Sequence, residues 1–241
     1  MNTKKRTVVL VGDSATRGQR GYSYVKLLSQ KLDKDAFALI NAGVNRELAY
    51  NVLQRIDEVI EHNPDFVTVL IGTNDANASL KEENAERMMR RMRLPQKPTE
   101  EWFKENLLGI VAELQSRTDA KIALLSLPPI GEDPNHVGVK RTGEYSQIIK
   151  DVSTETNVEY LPIHESMMEY LREHPSTPKK EFDSWRVLVY KSYFQKRLLF
   201  KSLDAISEAN GFHLLVDFFH LNSKAADIIA NHIREFLLKS A

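Results

Sequence analysis

Five short apolar runs recur along the chain, each closed by turn residues: Val8–Val11, Phe37–Ala42, Phe66–Ile71, Ile122–Leu127 and Val158–Ile163. Their shortness and their β-branched content mark buried strands, because helices run to about ten residues or more. Between them the apolar positions change to helical spacing. Tyr24, Leu27, Leu28 and Leu32 make one stripe, and Leu48, Val52, Ile56, Val59 and Ile60 make another. Trp102–Leu114, Tyr145–Val152 and Ala225–Leu238 supply three more. Such stripes predict amphipathic helices. Strands alternating with helices imply parallel pairing through right-handed crossovers, with helices on both faces. The expected fold class is therefore α/β: a three-layer α/β/α sandwich around a doubly wound, five-stranded parallel sheet of flavodoxin-like type. At 241 residues, one domain spanning 1–241 is expected.

Two regions break the alternation. Ser79–Pro98 is dense in mixed charge, the mark of a solvated helix face and loop, and Met88, Met89 and Met92 within it read as packing residues. Pro175–Asn210 is longer than a βα unit requires and is expected to add a helical segment at about 175–210. Within it, Ser184–Leu203 holds five basic residues and no acidic one, interleaved with Trp185, Tyr190, Tyr193, Phe194 and Phe200. Val187, Tyr190, Phe194 and Leu198 recur at helical spacing and predict the apolar face of an amphipathic helix. That face has three uses: packing on the domain, capping the carboxyl ends of the strands, or transient contact with an anionic membrane or lipid surface. The capping use predicts that Trp185, Tyr190 and Phe194 border the ligand crevice.

In doubly wound sheets, ligands bind beyond the carboxyl ends of the strands. Polar residues gather at those ends here. Gly12-Asp13-Ser14 follows the first strand, Asn41-Ala42-Gly43-Val44-Asn45 the second, and Gly72-Thr73-Asn74-Asp75 the third. Asp217-Phe218-Phe219-His220 stands just before the last helix. Each block has an ordinary explanation when taken alone. Asp13 or Ser14 suits a helix cap, Gly and Asn suit turns, and His220 is one of 7 histidines.

In this order the blocks resemble the SGNH hydrolase superfamily, the GDSL-type esterases and lipases. The resemblance covers residues 7–75 and 211–238, and Leu127-Pro128-Pro129 matches the usual exit of the fourth strand. Arg46, where members often carry a small residue, departs from the pattern, and so does the long Pro175–Asn210 stretch. The resemblance implies a serine hydrolase with Ser14 as nucleophile, His220 as base and Asp217 as its partner. It implies an oxyanion hole made of the Ser14 and Gly43 backbone N–H groups and the Asn74 amide, and no metal or organic cofactor.

The chemistry of these residue types agrees. A serine hydroxyl needs a base to take its proton, and the imidazolium so formed needs an anion to orient and stabilise it. Asp217 and His220, three residues apart, would share one side of a helical turn. Gly12 allows a tight turn, and Asp13 is expected to fix the loop. The partner implied is a small-molecule acyl ester, with a thioester or an acetylated carbohydrate as alternatives for the same site. A non-catalytic binding protein on the same fold is the alternative of a different class.

Composition removes other readings. Lys plus Arg and Asp plus Glu are 33 each, so a globally basic nucleic-acid binder is not indicated. The absence of cysteine excludes disulfides, thiolate nucleophiles and thiolate metal sites. Neither GxGxxG nor GxxxxGK[ST] follows the first strand, which argues against a nucleotide-binding module. The opening MNTKKRTVVLVGDS has too short an apolar stretch for a secretory signal. No segment reaches the roughly 18 apolar residues of a membrane span. A soluble cytoplasmic protein is expected.

Overall fold

The computed structural model describes residues 5–239, apart from the Asp183 side chain. Strands β1 (Arg6–Gly12), β2 (Phe37–Gly43), β3 (Phe66–Leu70), β4 (Lys121–Leu125) and β5 (Glu159–Leu161) form one sheet. Its order is β2-β1-β3-β4-β5, and every pair is parallel. β1 pairs on both sides, which is why Val8–Val11 form a continuous apolar run: none of the four side chains is exposed. The chain passes from β1 to β2 on one side and returns to β3 on the other. The two crossovers leave a crevice at the carboxyl ends of β1 and β3, the switch point at which this topology binds ligands.

The helices are α1 (Ser14–Arg17), α2 (Tyr24–Lys31), α3 (Ala49–Gln54), α4 (Ile56–Ile60), α5 (Thr73–Leu80) and α6 (Glu82–Met92). They continue with α7 (Glu100–Arg117), α8 (Val137–Thr156), α9 (Ile163–Glu173), α10 (Trp185–Leu198), α11 (Leu203–Asn210) and α12 (Ser223–Lys239). Buried side chains from Val8 to Leu237 join one hydrophobic cluster. No helix among the described residues is long and apolar enough to cross a membrane.

Three elements differ from the sequence expectation. β5 is short because Pro162, which follows it, has no N–H to extend the ladder. The Leu48–Ile60 stripe is two helices, broken at Arg55. The Arg55 guanidinium turns inward, binding the Glu47 carboxylate at 2.7 Å and the Ala42 carbonyl at 2.8 Å.

The third difference is the face of α10. The helix forms, but it buries Leu188, Val189 and Ser192. Val187, Tyr190, Phe194 and Leu198, the stripe for which packing on the domain is one of three uses, lie in solvent, with Tyr190 70% exposed. Apolar residues occupy both sides of this helix, so spacing alone defines two stripes. Packing against α11 and the 3₁₀ turn Phe182–Ser184 selects the other one. Met88, by contrast, packs as expected, in a small second core with Leu48, Ala78, Leu94 and Trp102, and Met89 and Met92 lie against it.

Candidate active site

β1 ends in a turn with no room for side chains. A Cβ on Gly12 would lie 2.2 Å from Thr16 Oγ1 and 2.4 Å from the Leu70 carbonyl oxygen. Asp13 then caps α1, its Oδ1 accepting the Ala15 N–H at 2.9 Å. Its Oδ2 accepts an N–H of the Asn74 amide, also at 2.9 Å. Asp13 thus ties the exit of β1 to the start of α5, and Ser14 becomes the first residue of α1. The cap and the presented serine are adjacent residues of one turn.

Asp217 and His220 meet without a helical turn. The segment doubles back on itself through an antiparallel bridge between Leu215 and Leu221, and the Val216 N–H donates to the His220 carbonyl at 2.7 Å. Asp217 Oδ1 accepts the backbone N–H groups of Phe219 and His220 at 2.8 and 2.9 Å. Its Oδ2 faces His220 Nδ1 at 2.8 Å. An ionised carboxylate only accepts, so the proton resides on Nδ1 and the Nε2 lone pair is left available. Burial alone would push the Asp217 carboxyl up, but the nearby His220 charge and the hydrogen bonds hold it below its ordinary value.

This loop is anchored from outside by a residue that no local sequence pattern singles out. The buried Glu132 carboxylate, beyond β4, accepts the N–H groups of His213, Leu214 and Leu215 at 2.8, 2.8 and 2.6 Å. It also accepts the Ser176 hydroxyl.

Ser14, Asn74 and His220 line one crevice, walled by Pro128, Trp185 and Phe219. It encloses about 890 Å³ of empty space, part of it open to solvent. No hydrogen bond joins Ser14 Oγ to the His220 ring directly. Trp185 and Val189 of α10 border the crevice, whereas Tyr190 and Phe194 do not. The capping role of this segment therefore applies at one end of the helix.

Gly43 is not on the crevice wall. Its N–H donates to Asn41 Oδ1 at 3.0 Å, and a Cβ on it would lie 2.4 Å from the Arg17 nitrogen. Its small size lets β2 pack against α1. Arg46, three residues on, does line the crevice and holds a left-handed backbone with φ of 71°. Asn74 lines it too, but both of its amide protons are engaged, one by Asp13 and one by the Glu47 carbonyl at 3.0 Å. Arg20, Arg87 and Arg91 also reach this wall. Arg87 and Arg91 belong to the mixed-charge stretch, where the sequence suggests solvent rather than a site. Among the described residues, no cluster of three or more His, Asp or Glu side chains is arranged to hold a metal ion.

Beneath the crevice, two carboxyls are strained electrostatically. Burial pushes Asp13 up to about 6. Asp75, whose carboxylate accepts the Ala49 N–H at 3.3 Å, is pushed up to about 7 by burial and by the Asp13 charge. A carboxyl raised in the folded state favours folding below its unfolded value, here about 3.8. That contribution is lost as pH rises through the folded value. Asp75→Asn should therefore gain stability over the parent between pH 5 and pH 8, by a few kcal/mol. Chemical denaturation at the two pH values checks this, and an equal difference at both would refute it.

Comparison with known proteins bears on this site. The model of the GDSL-like Lipase/Acylhydrolase family matches residues 10–186. No curated protein matches the sequence. The fold is similar to a catalytic mutant of Axe2, an acetylxylan esterase from Geobacillus stearothermophilus, with a TM-score of 0.68 and 17% identity over 97% of this chain and 94% of that one. It is also similar to the acetyl xylan esterase AlAXEase, with a TM-score of 0.67 and 19% identity over 95% of this chain and 98% of that one. Further Axe2 structures carry catalytic substitutions of a serine or a histidine by alanine.

Proposed function

The chain belongs to the GDSL-like lipase/acylhydrolase family, and on that footing we propose that it cleaves carboxylic esters through a triad of Ser14, His220 and Asp217. The observation that carries this reading is the Asp217–His220 pair, which leaves Nε2 as a free base in the same crevice as Ser14. Ser14 Oγ attacks the acyl carbonyl while His220 Nε2 takes its proton. The tetrahedral intermediate collapses, and His220 returns that proton to the departing alcohol. A water, deprotonated in turn by His220, attacks the acyl-enzyme and releases the acid and Ser14.

The oxyanion needs donors already aimed at it. Ser14 supplies its N–H from the first turn of α1, where backbone amides lack helical partners. The second donor is the Arg46 N–H rather than that of Gly43, because the Gly43 N–H is committed to Asn41. Asn74 completes the set by turning one N–H from the Glu47 carbonyl to the oxyanion. The whole reaction is assigned to one domain, since one core runs from Val8 to Leu237.

The similarity to acetylxylan esterases favours a short acyl group, with a carbohydrate O-acetyl ester as a candidate substrate. A fluorophosphonate probe tests the reading against a binding protein. It should label the folded protein once, and not the Ser14→Ala variant, while the parent hydrolyses p-nitrophenyl acetate with chelator present. Absence of labelling, or loss of activity to the chelator, would overturn it.

A further inference from the structure

Four arginines reach the wall of the crevice that holds Ser14: Arg20, Arg46, Arg87 and Arg91. Among the described side chains, the one carboxylate on that wall is that of Asp13, which is buried and already bound by Ala15 and Asn74. Several arginines outside the crevice pair with carboxylates: Arg55 with Glu47, Arg117 with Asp57 and Arg141 with Glu100. Arg20, Arg46 and Arg91 form no ion pair among the described side chains. They lie close enough to act on one another. Burial first, then the like charges of Arg91 and Arg20, lower the Arg46 guanidinium from its ordinary value.

Neighbouring groups hold several of these side chains in place. Arg20 lies 5.8 Å from the Tyr193 ring centre, and Arg87 lies 5.5 Å from that of Trp185. Arg87 also donates to Asn84 Oδ1 at 2.8 Å. Arg87 and Arg91, four residues apart on α6, share one face. Like charges converging on a concave wall repel one another, and a bound anion removes that cost.

We propose that the substrate is an anionic ester, in which the acyl carbonyl sits at Ser14 while a carboxylate or phosphate on the same molecule is held by Arg20, Arg46 and Arg91. The inference rests on the hydrolase reading and adds the substrate's charge. Guanidinium groups suit either oxyanion, because they offer paired N–H donors in the plane of the charge.

Four acetate esters of similar size test it: 3-acetoxypropyl phosphate, 4-acetoxybutanoate, n-butyl acetate and acetylcholine, followed by acetate release. At low salt the better of the two anionic esters should exceed n-butyl acetate in kcat/KM by about tenfold or more, with acetylcholine last. The order of the first two identifies phosphate or carboxylate as the preferred group. The advantage should shrink at about 0.5 M NaCl. Arg46→Gly suits the left-handed backbone and keeps the N–H, and Arg91→Gln lies on an exposed helix face. Either should lower the anionic-to-neutral ratio several-fold.

Equal kcat/KM for anionic and neutral esters at low salt, or a ratio unmoved in both variants, would overturn the inference while leaving the hydrolase reading intact. If no ester is turned over and no fluorophosphonate label forms, the hydrolase reading falls. Calorimetric titration of the Ser14→Ala protein with inorganic phosphate then decides the anion site alone. Saturable binding that weakens about tenfold on adding Arg46→Gly upholds the site, and absence of binding overturns it.

Discussion

Ser14→Ala should lower kcat on p-nitrophenyl acetate by a factor on the order of 10⁴ or more, with little change in Tm. The two halves of this expectation have separate grounds. Ser14 Oγ makes no hydrogen bond among the described residues, and its residue begins a short helix, where alanine is a good former. Nothing structural is lost with the hydroxyl. Chemically everything is lost, because His220 has no proton to accept and no acyl-enzyme can form. The residual rate would come from substrate binding and the oxyanion donors. A variant that keeps most of the parental kcat would remove Ser14 from the mechanism. A large fall in Tm would mean that the lost rate reports folding instead.

Asp217→Asn should be nearly as severe, on the order of 10³ to 10⁴ in kcat, with a much smaller effect on KM. The substituted amide can keep its oxygen on the Phe219 and His220 N–H groups, where Oδ1 now accepts. Its NH₂ then faces His220 Nδ1, where Oδ2 sits at 2.8 Å. A donor opposite Nδ1 turns that nitrogen into an acceptor and moves the ring proton to Nε2. The nitrogen beside Ser14 then carries a hydrogen and cannot take another. Steady-state kinetics beside circular dichroism would check this, since the loop keeps its two backbone bonds and the fold should persist. A folded variant within about tenfold of the parent would show that Asp217 neither orients the ring nor sets its tautomer.

Much of this molecule is legible in its sequence, for identifiable reasons. A central parallel strand has no solvent side, so Val8–Val11 must be apolar throughout, and such runs are unmistakable when turn residues close them. Strand exits in this topology converge on one crevice, so polar residues after β1 and β3 were bound to be neighbours. What escaped reading was geometry that several patterns share. A spacing of three between Asp217 and His220 fits a helical turn, yet the side chain makes the contact by bonding its own loop. Glycine at 43 carries a strong signal, but it answers a packing need between β2 and α1. The left-handed position on the crevice wall belongs to Arg46, which no glycine marks. Arg87 and Arg91 sit in a charged stretch whose composition looks like solvent-facing surface. The buried Glu132 has no local pattern at all, since its three partners lie about eighty residues away.

The contacts around residue 221 tie the beginning of the chain to its end. The Tyr22 N–H donates to the Leu221 carbonyl at 2.8 Å, and Lys31 pairs with Asp227 at 2.6 Å. The proposed nucleophile, Ser14, and its proposed base, His220, are thus joined by closing a loop of some two hundred residues, among the longest closures available to this chain. Long-range contacts of this kind form late, because their entropic cost must be met before they gain anything. A folding intermediate with the sheet assembled but α12 undocked would carry Ser14 without a base. The same holds for a chain still emerging from the ribosome before His220 has cleared the exit tunnel. On the proposed mechanism, hydrolytic activity would be acquired at the final step of folding, and an unfinished copy would be inert toward the esters around it.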